Sequence, residues 1–512
     1  MSKSLTPNQD GLSRREAFQG LLAVPALATA AAGVVGGSTV MVPAAQAQQA
    51  HAASAVMVTE KLAAYIADSQ SAVIPDEHRE LGRRHILDTL ASIVACRDLD
   101  AGKLGRKYAA LSGSPRKNAA TILGTKEKAA LVDAVFASAM TAHAAEINDF
   151  IPSAFVQPGP SIVSAALALA EQRGKSGDQL LRAVITGYEF AGRIPKGLGV
   201  TNLRQAGIAN HGVGPVWGTA AASASIMGLP RERMSDLFTY CAQQSSGSWQ
   251  WLMDVEHIEK AFVFAGMGAR NGLQAALMVE LGYTGVRDSL DNPEGWARSP
   301  IFVKADGDGD RAYLVSELNV RTELTATAYK RYPSGGPAQP GVEGMLKLLP
   351  KIDRQNVKSV RFEMPGRWQA FRDAAMPALN LRYLASIILI DGRLDFTDAQ
   401  SLQRMHNDPK VKELMQRVDV VHDPKQEAPP GAERTESCRI ILEQTNGQRH
   451  EIYIPYVVGF PSHPMSREDV ETKAMELMTP PLGASRARQV VDACRSLDTM
   501  KSAKTLISLI AR

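Results

Sequence analysis

The 512-residue chain carries 57 basic and 53 acidic side chains, a formal charge of +4, with 45% hydrophobic and 21% charged residues. This ordinary mix can build a substantial apolar interior and excludes disorder as the default, while the length predicts two domains rather than one. Lys and Arg are scattered and rarely interleaved with aromatics, which excludes the basic stripe of a nucleic-acid binder.

The first fifty residues read as an address. Ser13-Arg14-Arg15-Glu16-Ala17-Phe18 precedes an apolar, Ala- and Gly-rich run over 21–42, and Ala45-Gln46-Ala47 supplies a small-x-small cleavage pattern. This resembles a twin-arginine export signal spanning 1–47, with the mature protein working in the periplasm and free of the membrane once the signal is removed. The alternative is an uncleaved anchor, because the apolar run is nearly long enough to cross a bilayer.

From about residue 55 the pattern is helical, with Ile86, Leu87, Leu90, Ile93 and Val94 on one face after Pro75. A helix over 161–172 should stop at Gly174, and Ser176-Gly177-Asp178-Gln179 reads as a capping box that opens the next. The Ala- and Ser-rich stretch 218–227 suits close helix packing, and a further helix over 271–281 ends at Gly282. After about residue 318 the text changes. A strand is predicted over 357–362, a hairpin pairs 438–442 with 449–454 around Asn446-Gly447, and 423–433 is a Pro- and charge-rich loop. Helical periodicity returns after Pro464. The predicted fold is mainly α: a helical domain over 48–317, a smaller α+β domain over 318–462 inserted as a lid, and 463–512 returning to the helical part. Cys96, Cys241, Cys438 and Cys494 form no CxxC pair, so structural thiols are expected, although export would permit a disulfide.

Several segments together resemble the MmgE/PrpD family: Leu87-Asp88-Thr89-Leu90, 142–149, 165–171, Gly187-Tyr188-Glu189, 266–272 and Tyr332-Pro333-Ser334, in the family's order. The family includes 2-methylcitrate dehydratases, cis-aconitate decarboxylases and an iminodisuccinate epimerase. The resemblance implies an all-α domain with an α+β lid, a site between them, a small carboxylate substrate, no cofactor or metal, and a homodimer. The activity it implies is that of a hydro-lyase removing a proton beside a carboxylate, with epimerisation by the same first step as an alternative and a noncatalytic carboxylate-binding paralogue as a rival from another class.

Such chemistry needs a positioned base and positive charge over the developing oxyanion. Lys260 lies close to the family's substrate-facing lysine and is expected to stabilise the enolate; a salt bridge to Glu256 or Glu259 is the competing role. His211 stands where relatives carry a His-Pro-Thr motif and is the expected base or acid, with loop packing as its alternative. Glu146 and Asp149 keep carboxylates in the acidic motif and are expected to orient an imidazole or bind substrate, although Asp149 could instead cap a helix; the motif's threonine is replaced by Phe150. His143, Gln157, Tyr332, Gln339 and Trp249 are the expected substrate contacts, with Trp249 and Trp251 forming an aromatic wall or simply core. Gln157-Pro158 and Gln339-Pro340 stand where many relatives have His-Pro, so two titratable groups have become neutral ones. Gly335-Gly336 would let backbone amides approach a carboxylate, unless a turn with positive φ explains them.

Overall fold

The computed structural model describes residues 57–113, 119–429 and 436–512. The twin-arginine segment and its cleavage pattern lie outside these residues, as does the end of the expected 423–433 loop. Among the described residues no helix is long and apolar enough to cross a membrane.

Helices dominate from the start. The predicted apolar face of 86–94 belongs to a helix over Asp76–Cys96, and Ile86, Leu90 and Ile93 on it are fully buried. The helix Gly159–Gln172 passes through Gly174, at φ 62°, into Gly177–Leu198, whose start is closed by the predicted capping box: Gln179 N donates to Ser176 Oγ and Ser176 N to Gln179 Oε1, each at 3.2 Å. The Ala- and Ser-rich stretch forms the end of Asn210–Met227, packed against both neighbours. The helix expected at 271 begins earlier, at Met267, because a short helix Ile258–Ala261 feeds it through one π-helical turn over Phe262–Gly266. A two-stranded antiparallel ribbon, β1 (Ala119–Thr121) with β2 (Lys128–Ala130), interrupts the run and was not foreseen from periodicity, since three residues show none.

The later part holds a four-stranded sheet of order β4-β3-β5-β6. The expected strand and hairpin are β3 (Val357–Met364), β5 (Cys438–Gln444) and β6 (Arg449–Ile454), all antiparallel neighbours, with Gly447 at φ 86° in the turn. The added strand β4 (Val418–His422) pairs parallel to β3, with Val360 opposite Val418; the helix Leu381–Asp391 lies in the crossover between them. Phe362, Val420, Ile440 and Tyr383 centre the sheet's own core. The helices after Ser466 turn away from it: Val470, Val491 and Ile507 pack in the same core as Ile86, Leu90 and Val163. All four cysteines are buried free thiols.

Candidate functional site

The helix Leu131–Ala142 ends at His143, and the buried stretch that follows carries the predicted acidic motif. Glu146 lies at the centre. Its Oε1 accepts from His257 Nε2 at 3.0 Å and from the Lys260 ammonium, while its Oε2 faces Lys330 Nζ at 3.0 Å. These side chains are almost sealed from solvent: 2% exposed for Glu146, 4% for Lys260 and 1% for Lys330. Lys260 therefore pairs with Glu146, 114 residues away, rather than with its sequence neighbours Glu256 or Glu259. Burial acts to raise the Glu146 pKa, but the two ammonium groups and the His257 hydrogen bond outweigh it and hold the carboxyl well below its usual range. Burial draws the Lys260 ammonium below its ordinary value, opposed by Glu146.

The neighbouring amides fix the protons. Asn148 Nδ2 donates to Asp149 O at 2.9 Å and to Gln157 Oε1 at 3.0 Å, so its Oδ1 is the acceptor that meets His143 Nδ1 at 2.6 Å. The proton of His143 is thereby assigned to Nδ1, leaving Nε2 as a buried lone pair with no partner among the described residues. Burial, and the nearby His257, keep this imidazole well below its ordinary pKa and hence neutral. Gln157 turns its carbonyl toward Lys330, at 3.4 Å, as well as toward Asn148.

Asp149 points elsewhere. Its Oδ2 accepts from the Tyr188 hydroxyl at 2.5 Å and meets His85 Nδ1 at 2.8 Å, and its Oδ1 takes the Gly159 N–H at 3.2 Å. It thus orients an imidazole, as one expectation had it, but that of His85, and it also satisfies the first amide of a helix, as the competing expectation had it. Gly159 has to be glycine here, because a Cβ would stand 2.5 Å from Thr89 Oγ1 and 2.6 Å from Asp149 Oδ1.

His211, in the first turn of Asn210–Met227, stacks on Phe264 with ring centres 3.7 Å apart and meets Trp251 edge-on at 5.2 Å. The Lys260 ammonium lies 5.1 Å from each of these same two rings. The two residues expected to meet around one guest thus share an aromatic wall, and the π-helical turn after Lys260 is what carries Phe264 into it. Gln157, His211, Trp251 and Phe150, 6–8% exposed, mark where this buried cluster comes nearest the solvent. Trp249 stands beside them, 5.9 Å from His211, its indole N–H given to Ile208 O at 3.1 Å.

The second-domain candidates are placed differently. Gln339 spends both ends of its amide on its own loop: Oε1 accepts from Tyr332 N at 3.0 Å, and Nε2 donates to Tyr332 O at 2.7 Å and to Ser334 O and Oγ at 2.8 Å. Its amide pins the 332–334 turn. The Tyr332 ring packs on the sheet's core, and burial pushes its hydroxyl up to about 12. Gly335 has φ −56° and neither glycine of the pair has positive φ; Gly335 is small because a Cβ would strike Leu379.

Three groups central to the cluster were missed. Lys330 adjoins the Tyr332-Pro333-Ser334 motif, which was the available signal; His257 and Asn148 carry none, since only the fold brings them to Glu146. A fourth, Lys473, reaches in from the helix Arg467–Leu482 to bond Asp88 Oδ1 and Ile147 O, both at 2.6 Å, and so holds the loop behind Glu146. His143, Glu146 and His257 bring ligand atoms within 4.8 Å of one another, a spacing a metal ion could use. The chemistry opposes it: both oxygens of the one carboxylate already face ammonium groups, which repel a divalent cation.

Comparison with known proteins matches the chain to a family. The MmgE/PrpD N-terminal domain matches residues 60–302 and the MmgE/PrpD C-terminal domain residues 332–498. A cis-aconitate decarboxylase-like protein, oryM, of Aspergillus oryzae is 21% identical over 492 residues, covering 89% of this chain and 97% of that protein. The cis-aconitate decarboxylase of Homo sapiens is 21% identical over 477 residues, covering 88% of this chain and 94% of its own. The chain belongs to the MmgE/PrpD family.

Proposed function

We propose that this protein is a lyase that removes a proton beside a carboxylate of a small organic acid and expels a β-substituent, most simply water. The observation that carries this reading is the Glu146 carboxylate bridged by two buried ammonium groups, one more cation than anion in direct contact. A second carboxylate brought by a substrate would complete the charge balance, and the same ammonium groups would stabilise the enolate formed when the adjacent C–H bond breaks. His211 would then serve proton traffic at the aromatic side, with Trp249 and Trp251 walling the carbon skeleton. The relatives named for cis-aconitate decarboxylation support a small carboxylate as substrate.

Three finer elements belong to the proposal. Residues 318–462 act as a lid on the helical part, residues 1–47 direct export to the periplasm, and the protein works as a homodimer without cofactor. Subcellular fractionation and light scattering test the last two.

The rival reading, a carboxylate-binding protein without turnover, draws on Gln157 and Phe150 in place of reactive groups. One experiment separates them. Purified protein is incubated in deuterated water with cis-aconitate, citrate and malate, and NMR follows hydrogen exchange and product. Exchange that disappears in Lys260→Ala supports the lyase; binding with no exchange favours the rival, and equal exchange in the variant removes Lys260 from the mechanism.

A further inference from the structure

His257 takes no part in the proposed proton removal as far as Lys260 and His211 carry it, yet it is the most unusual residue of the cluster. Its backbone lies in the left-handed region, at φ 62°, where glycine is the relaxed choice and an imidazole-bearing residue is strained. The strained residue sits directly before the short helix that presents Lys260, and its side chain is 7% exposed. The conformation turns the ring inward so that Nε2 meets Glu146 Oε1 at 3.0 Å. A carboxylate only accepts, so whenever the ring carries a single proton that proton is on Nε2 and the lone pair is on Nδ1. That Nδ1 is buried and has no hydrogen-bond partner among the described residues.

A carboxylate that orients an imidazole, with the opposite nitrogen bare, is the arrangement of a general base. We infer that His257 is the base that takes the proton from the carbon beside the substrate carboxylate, with Glu146 as its orienting partner. The inference rests on the proposed lyase reading and adds to it the group that the sequence lacks at Gln157. In the step, the C–H bond breaks and a bond forms from hydrogen to Nδ1. The electron pair left on carbon spreads into the carboxylate held by Lys260 and Lys330, and the new imidazolium is balanced by Glu146. Return of the proton to the same carbon, after exchange with solvent, gives deuterium incorporation without net reaction.

The other imidazoles are less suited. His143 meets the His257 ring edge-on at 5.0 Å and also has a bare nitrogen, but no carboxylate touches it to stabilise a positive charge. His211 has its face covered by Phe264. The charged and titratable groups around His257 are Glu146 and His143 from the 143–146 stretch, Lys260 from its own helix, and Lys330 across the carboxylate.

The test is His257→Gln, whose amide keeps a donor for Glu146 but cannot take a proton. With the folded full chain and cis-aconitate, citrate and malate as probes, exchange or turnover should fall by at least about 100-fold, while melting temperature and probe binding by calorimetry hold. Free imidazole should restore part of the rate to His257→Ala. Wild-type protein that exchanges with a probe, beside a variant that exchanges equally, overturns the base and leaves the lyase reading standing; wild-type protein that exchanges with none overturns both. Nitrogen-15 NMR gives a check independent of turnover: the singly protonated His257 ring is expected to carry its proton on Nε2, and a singly protonated ring with the proton on Nδ1 overturns the assignment.

Discussion

Two buried ionic clusters in this molecule are built from the same kinds of groups and differ in their arithmetic. Around the helix Gly177–Leu198, Glu189 pairs with Arg193 at 2.8 Å and Glu323 with Lys196 at 2.6 Å, two acids against two bases. Arg193 also donates to the carbonyls of Tyr313 and Ser316, and Glu189 accepts the Glu323 amide at 2.7 Å. Every charge there is answered from within, and the cluster ties the helix to the 313–323 segment. Around Glu146 two ammonium groups share one carboxylate, and two imidazole nitrogens have no hydrogen-bond partner among the described residues. Buried charge is costly unless paired. The balanced cluster is therefore a tie, and the unbalanced one has positive charge to spare for the carboxylate proposed as its substrate.

The sharpest way to break this contrast is to correct the imbalance. Lys330→Met leaves Lys260 and Glu146 as a simple pair, so kcat/KM on the active probe should fall by about 10²–10³ while the urea midpoint changes little. Loss of stability with turnover intact would erase the distinction. The converse substitution, Arg193→Leu, strands Glu189 in the balanced cluster and should cost about 3–5 kcal/mol in urea unfolding, with the hydrogen-exchange rate per folded molecule unchanged. The smallest effect is in acid. Because the Glu146 carboxyl titrates lower in the folded chain than in the unfolded one, its stabilising contribution is present above the unfolded value of about 4.3 and is lost as pH falls through the folded value. Glu146→Gln should therefore flatten that part of the acid unfolding curve; an unaltered curve would place the lysines' charge elsewhere.

What the sequence revealed follows the range over which each signal acts. The capping box at Ser176, the Gly174 stop and the Asn446-Gly447 hairpin are local and are found where they were expected. Strand β4 was hidden because its partner β3 lies more than fifty residues earlier and a parallel pair leaves no turn to recognise. At the site, Glu146, Lys260 and His211 were legible through the family resemblance; Lys260 bonds Glu146 and has the Phe264 ring in common with His211. The part Gln339 plays in pinning its own turn was not legible, because a glutamine that pins a turn and one that holds a substrate look alike in one dimension. His257 could not be found, since its strain and its partner exist only once residues 146 and 257 meet.

The reach of Lys473 into the centre has a consequence for biosynthesis. The loop behind Glu146 is held by a side chain that leaves the ribosome more than three hundred residues after that loop does. Contacts that distant require closure of a very long loop and are late by nature. Until the Arg467–Leu482 helix is made, Asp88 has no counter-ion and the Ile147 carbonyl lacks the lysine that binds it. A nascent chain paused before that point would hold nearly all of the side chains around Glu146 but not the lysine that fastens the loop behind it.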